Sequence, residues 1–166
     1  LTKSKASIIG SKPNTTRDKV TKTLTYEGNK IINISDLPGF LEKPENSNIN
    51  YQKNINKFIS DADKIFFVID VKTNDISGLD SIFKLLSKYN TMKNVITIFN
   101  KCEDFDSNNL DKRFYKYIAE SHYFVSAYHK LGLENLLSYI ESLSVIESKP
   151  EELVTSLTII GRPNAG

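Results

Sequence analysis

The chain has 166 residues, 39% of them hydrophobic and 25% charged, the size of one globular domain and too apolar for a disordered one. Lys plus Arg outnumber Asp plus Glu by only 22 to 20, a balance that points to neither a nucleic-acid nor a membrane partner. The longest apolar run, Ile65 to Ile69, falls far short of the ~20 residues a membrane-spanning helix needs. A single cysteine excludes an internal disulfide framework and fits a reducing compartment.

In chain order, Val20 to Tyr26 and Lys30 to Ser35 flank Glu27-Gly28-Asn29, which predicts a hairpin with a glycine in its turn. Ile49 to Ser60 carries apolar residues at three- and four-residue spacing and predicts a helix. Lys64 to Val71 (KIFFVIDV) is almost continuously apolar, the pattern of a strand buried on both faces of a parallel sheet. Asn94 to Phe99 and Tyr123 to Ser126 have the same pattern. Helices are expected over Ile76 to Tyr89, Leu110 to Glu120 and Leu133 to Ile146. Strands alternating with helices mean an α/β fold with a doubly wound sheet. Glu147 to Val154 is acidic and contains Pro150, and reads as a linker. Beyond it, the strand Leu157 to Ile160 runs into Gly161-Arg162-Pro163-Asn164-Ala165-Gly166, the way a second α/β unit would open.

Nineteen of the 22 basic residues are Lys, beside 16 Asn and 19 Ile, which reads as codon drift. The three arginines that persist, Arg17, Arg113 and Arg162, therefore draw attention. Ligands of open α/β sheets sit beyond the carboxyl ends of the strands. One such end is Asp36-Leu37-Pro38-Gly39, where a carboxylate can hold Mg²⁺ through water and a glycine can bring its N–H close to a phosphate. Taken alone it is equally an ordinary turn. Another is Asn100-Lys101-Cys102-Glu103. There an amide can meet a purine edge, a Lys stem can cover the ring, and a carboxylate can accept two parallel N–H groups, which guanine offers and adenine does not. A third is Ser126-Ala127, small enough for backbone to approach a base.

These three segments in this order resemble a P-loop G-domain GTPase. Upstream, Pro13-Asn14-Thr15-Thr16-Arg17-Asp18 is similar to the P-G-[VT]-T-R-D switch segment of the TrmE–Era–EngA group, so Thr16 is implied to bind Mg²⁺. Residues 161–166 are similar to the opening of the phosphate loop G-R-P-N-[VA]-G-K-S. A second phosphate loop after a complete first series points to the tandem G-domain Der (EngA) family. That resemblance implies a first G domain over 1–146, a linker over 147–154 and the start of a second G domain over 155–166. It further implies a GTP-hydrolysing switch that is cytoplasmic and monomeric and acts in assembly of the large ribosomal subunit, with that subunit and its rRNA as partners. Thr16, Asp36 and Gly39 would serve catalysis; residues 36–40, 100–103, 126–127 and 161–166 would bind GTP or GDP. Phe40 stands where other GTPases orient the attacking water; relatives use a K⁺ ion held partly by a phosphate-loop Asn, which Asn164 matches for the second domain only. No membrane partner is implied.

The resemblance also places a first strand, phosphate loop and most of a first helix upstream of Leu1, and a Lys-Ser after Gly166. The 166 residues alone are accordingly expected to bind GTP poorly. In the family that first strand lies between the Lys30 and Lys64 strands, so the terminal strand Thr155 to Ile160 is a candidate to fold back into its place. Two departures matter. Glu103 replaces the usual Asp and reaches one methylene further, and Leu37-Pro38-Gly39-Phe40 looks more like Era than Der. The competing readings are a degenerate G-fold docking module without hydrolysis and a single-domain relative such as Era. Cys102, His122 and His129 read as structural, and Phe66, Phe67, Phe114, Tyr115 and Tyr117 as core or helix-face residues.

Overall fold

In a computed structural model of the chain, residues 20–26, 30–37, 49–89, 92–103, 110–143, 154–162 and 165 are described. The elements are β1 (Val20–Tyr26), β2 (Lys30–Asp36), α1 (Ile49–Ser60), β3 (Lys64–Asp70), α2 (Ser77–Tyr89), β4 (Val95–Asn100), β5 (Ser121–Phe124), α3 (Leu133–Leu143) and β6 (Val154–Gly161). They form an α/β fold around one mixed sheet with strand order β1-β2-β6-β3-β4-β5. Only β1 runs antiparallel, paired with β2 from Val20↔Asp36 to Tyr26↔Lys30 as the hairpin reading requires.

Each face of the sheet has its own core, and the strand sequences show why. In β3, Ile65, Phe67 and Ile69 pack beneath Ile55 and Ile59 of α1 and Leu79, Ile82 and Leu86 of α2. Phe66 points the other way, toward Leu136 and Ile140 of α3. An unbroken apolar run is what a strand covered on both sides demands. In β4 the same alternation sends Ile96 and Ile98 toward α3, and Val95 and Phe99 toward α1 and α2. Thr97, buried in β4, donates its hydroxyl to Tyr117 O at 2.6 Å and accepts from Ala119 N at 3.3 Å. Its polar atom is therefore satisfied and adds no desolvation penalty.

Two expectations need correction. The segment Leu110 to Glu120 is not an α-helix but a short 3-10 turn, Lys112–Tyr117. Asp111 caps it through Arg113 N, and Ile118 leaves it in an extended conformation. Phe114 and Tyr117 are both fully buried, and a spacing of three places them on one side of a 3-10 turn. The strand expected at Tyr123 to Ser126 begins earlier, with Ser121 and His122 opposite Ile96 and Thr97. Edge position lets a strand carry polar residues, so its apolar half alone marked it in the sequence. Ser126 forms only an isolated bridge with Leu131.

The terminal strand lies inside the sheet. β6 pairs in parallel with β2 from Ile31↔Val154 to Asp36↔Ile159, and with β3 from Lys64↔Leu157 to Val68↔Gly161. Its Leu157 joins the α3 core and Ile160 the opposite one. The loop before β3 adds Asp63 N donating to Ser156 O at 3.0 Å, and Ser156 N donating to the Asp63 carboxylate at 2.7 Å. Residues arriving last in the chain thus form the central strand of the sheet.

Leu157→Ala should therefore cost about 2–5 kcal/mol, the usual range for emptying a full side chain from a core. The drop would be read from urea unfolding, with amides of Thr158 to Ile160 exchanging as slowly as those of β3. A neutral substitution with fast exchange would show that β6 does not hold this position.

Candidate functional site

Five parallel strands place their carboxyl ends along one edge. In order across the sheet these are Asp36 of β2, Gly161 of β6, Asp70 of β3, Asn100 of β4 and the Val125-Ser126 exit of β5. At about 4.8 Å per strand, Asp36 and Asn100 stand roughly 14 Å apart along that edge. The span suits a ligand with a planar base at one end and an anionic chain at the other.

Asn100 is buried and ties two loops to the edge. Its Nδ2 donates to Ala165 O at 2.8 Å, and its Oδ1 accepts from Ala127 N at 3.0 Å. One N–H and one lone pair of the amide remain for a ligand. The next residue, Lys101, takes a left-handed φ of 68°, which turns the chain sharply so that Cys102 N donates to Val125 O at 3.0 Å. Cys102 is buried, and that burial pushes its thiol up to about 11. A neutral, enclosed thiol is neither a nucleophile nor a metal ligand, so Cys102 serves packing.

A network of opposite charges fixes the side chains around Asn100. Lys101 Nζ meets Asp70 Oδ2 at 2.7 Å, while Asp70 Oδ1 accepts from the backbone N of Lys72 at 2.9 Å. Lys72 Nζ then meets Glu103 Oε2 at 2.5 Å. The contact is a close charge pair that encloses Oε2. On the other side Ser126 donates its hydroxyl to Glu103 Oε1 at 3.0 Å. Lys72 foremost, with help from Ser126, holds the Glu103 carboxyl down at about 2.

Ser126 belongs to a tight turn closed by Ser126 N to Leu131 O at 2.9 Å and Leu131 N to Ser126 O at 3.1 Å. Gly132 is obligatory there, since its φ is +68° and a Cβ would lie 2.2 Å from Phe124 O. The neighbouring His129 donates only its backbone N, to Ser126 Oγ. Among the described residues no three His, Cys, Asp or Glu side chains gather to hold a metal.

At the β6 end, Gly161 lies so close to β3 that a Cβ would sit 2.7 Å from Val68 O. Arg162 reaches Asp75 with one guanidinium nitrogen on Oδ2 at 2.7 Å and another on the backbone O. Hydrogen bonds from Ser77 first, and Arg162 after them, hold the Asp75 carboxyl below its ordinary value. Ala165 N donates back to Arg162 O at 3.2 Å. Val68, Asp70, Thr73, Leu79, Arg162 and Ala165 line a cleft of about 110 Å³. A pocket for a whole small molecule occupies roughly 300–1,000 Å³, so this cleft holds only part of a ligand. Asp36 ends β2, and desolvation raises its carboxyl above the ordinary value. Leu37 beside it is buried and donates its N–H to Ile159 O at 3.1 Å.

Of the residues singled out in the sequence, Asp36, Leu37, Asn100, Lys101, Cys102, Glu103, Ser126, Ala127, Gly161, Arg162 and Ala165 all lie on this edge or its loops. Thr16, Pro38, Gly39, Phe40, Pro163, Asn164 and Gly166, with most of the linker, lie outside the described residues. Sequence reasoning missed Asp70, Lys72 and Asp75. Asp70 had left a signal, a carboxylate closing an otherwise apolar strand. Lys72 and Asp75 had left none.

Because the Glu103 carboxyl titrates near 2 rather than near its ordinary 4.5, its contribution to stability is full above pH 4.5 and fades as pH falls toward 2. Asp75, Asp80 and Asp111 shift in the same direction, so the protein should lose stability across this window. Glu103→Gln should lose less between pH 5 and pH 2 than the parent chain. Urea midpoints measured at each pH give the comparison, and parallel curves would contradict the assignment.

The sequence matches the family model of the 50S ribosome-binding GTPase over residues 1–101. It is 35% identical to the GTPase Der of Thermosipho africanus, in an alignment covering 98% of this chain and 38% of that protein. The GTPase Der of Rickettsia prowazekii is 32% identical over 98% of this chain and 37% of its own length. That of Porphyromonas gingivalis is 28% identical over all of this chain and 38% of its own length. The chain thus spans less than two-fifths of the curated relatives it matches. With a family match over most of its length, relatives along all of it and a nucleotide-type edge on an α/β sheet, the chain belongs to the 50S ribosome-binding GTPase family and, within it, to the Der (EngA) GTPases.

Proposed function

We propose that this chain supplies a guanine-nucleotide site to a GTP-binding and GTP-hydrolysing switch protein. The observation that carries the reading is the placement of Glu103. Its carboxylate stands beside Asn100 at the end of β4, is held from two sides by Lys72 and Ser126, and is ionised at neutral pH. A carboxylate can accept the two parallel N–H groups that guanine presents. Adenine presents an acceptor at the corresponding ring nitrogen and is repelled. Ser126-Ala127 and the apolar stem of Lys101 supply the remaining walls of the base site.

From the base the nucleotide would extend across the ends of β3 and β6 toward Asp36. The cleft between Arg162, Ala165 and Asp70 lies along that path. Asp36 is the one described carboxylate at the far end that fits a divalent ion, and Thr16 would be its partner. With so few protein ligands, Mg²⁺ would keep several waters and the phosphate oxygens as its shell. Bound there, it would neutralise charge that builds on the phosphates during hydrolysis.

The description of the matched family, a 50S ribosome-binding GTPase, supports a role on the ribosome. We infer that the protein acts in the cytoplasm, in assembly of the large ribosomal subunit, with the subunit and its rRNA as partners. Among the described residues no helix is long and apolar enough to cross a membrane. We further infer that residues 1–146 belong to a first G domain, 147–154 to an acidic linker and 155–166 to the opening of a second. β6 would then occupy the central place in the first sheet that the family gives to a G domain's own first strand.

Titration of fluorescent GDP and ADP onto the protein with its natural flanking residues tests the reading. A site built to accept two N–H groups should prefer GDP by roughly 100-fold or more, since a mispaired buried polar group is heavily penalised. Glu103→Ala should abolish most of that preference. Equal affinity for the two nucleotides would overturn the guanine assignment.

A further inference from the structure

We propose that Lys72 is a positioning residue for base selectivity, holding Glu103 at the correct reach and orientation for guanine. The inference rests on the guanine-site reading above and deepens it. Glu is one methylene longer than Asp and has one more rotatable bond, so an unrestrained Glu103 would offer its carboxylate in many positions. Fixing such a side chain only when a ligand arrives would take its rotamer entropy out of the binding free energy.

The structure restrains it beforehand. Ser126 Oγ donates to Oε1 at 3.0 Å, and the Lys72 ammonium stands 2.5 Å from Oε2. Ser126 itself is immobilised, fully buried and joined to Leu131 by two backbone hydrogen bonds. One end of the carboxylate is therefore anchored to a rigid turn and the other to Lys72.

Lys72 is aimed by Asp70. The Asp70 carboxylate takes the backbone N–H of Lys72 on Oδ1 and the ammonium of Lys101 on Oδ2. One oxygen shapes the turn after β3 that points Lys72 at Glu103. The other occupies Lys101, the second cation nearby, and keeps it off the Glu103 carboxylate. Two lysines beside two carboxylates thus sort into fixed pairs. A carboxylate has about four lone-pair sites. Ser126 takes one of them on Oε1, and the Lys72 ammonium covers the enclosed Oε2; the ring N–H and the exocyclic amine of guanine both call on this one carboxylate. Hypoxanthine offers only the first of these.

Comparing GDP with inosine diphosphate isolates this contact. In the protein with its natural flanking residues, Lys72→Met should weaken GDP binding about tenfold and inosine diphosphate binding no more than about threefold, as expected when one charge-supported hydrogen bond is misplaced. Lys72→Arg should restore the preference for GDP by returning the cation. Lys72 is half-exposed, so neither change empties a core, and an unchanged urea midpoint would confirm folding. An unchanged ratio of the two affinities in Lys72→Met would overturn the proposal. So would an equal loss for both nucleotides, the signature of a merely structural residue. If the parent protein already fails to distinguish GDP from ADP, the guanine-site reading itself falls, and that result is separable from the other two.

Discussion

The parallel pairing of β6 with both β2 and β3 is the constraint on which the rest of the molecule depends. Without it the β1-β2 hairpin and the β3-β4-β5 ladder would each present a long unpaired edge, a template for association with other chains. Backbone hydrogen bonds on both sides of β6 join them into one sheet. The burial of Leu157 and Ile160 on opposite faces makes the join part of both cores. Because β6 is parallel to its neighbours, its exit reaches the same edge as Asp36, Asp70 and Asn100, and Gly161 lets it run close against Val68.

Along that edge, polar groups work in pairs that leave little to chance. Asn100 spends one half of its amide on the loop after β6 and the other on the loop after β5, so base-side and phosphate-side loops share one buried anchor. Asp70 divides two lysines between itself and Glu103. None of these contacts contributes much to global stability by itself, since most are partly exposed and screened. Their effect is to fix positions before a ligand arrives, which lowers the ordering cost of binding.

How much of this could be read from the sequence follows from what kind of signal each element leaves. Strands β3 and β4 are buried on both faces, and an unbroken apolar run announces that directly. The two-sided helices α1 and α2 show their spacing equally well. Edge strand β5 was legible only in its apolar half, because Ser121 and His122 answer to solvent. The Phe114 and Tyr117 pair fits a three-residue and a four-residue period alike, and only the backbone at Ile118 decides for the 3-10 turn. At the site, residues that carry a motif were found by their order along the chain. Asp70, Lys72 and Asp75 were missed because their roles come from pairing with Lys101, Glu103 and Arg162, contacts between segments that no local pattern records.

The position of β6 also bears on how the protein is made. Roughly 80 residues separate the end of β3 from the start of β6, which at about 5–20 residues per second takes a ribosome several seconds to add. Every contact that β6 makes with β2 and β3 is distant in sequence. Such non-local closure is slow by the entropy of bringing far segments together. Formation of this six-stranded sheet therefore waits on a long-range closure. Helices α1 and α2 lie close in sequence to β3 and β4, so one face of those strands can be covered before that closure.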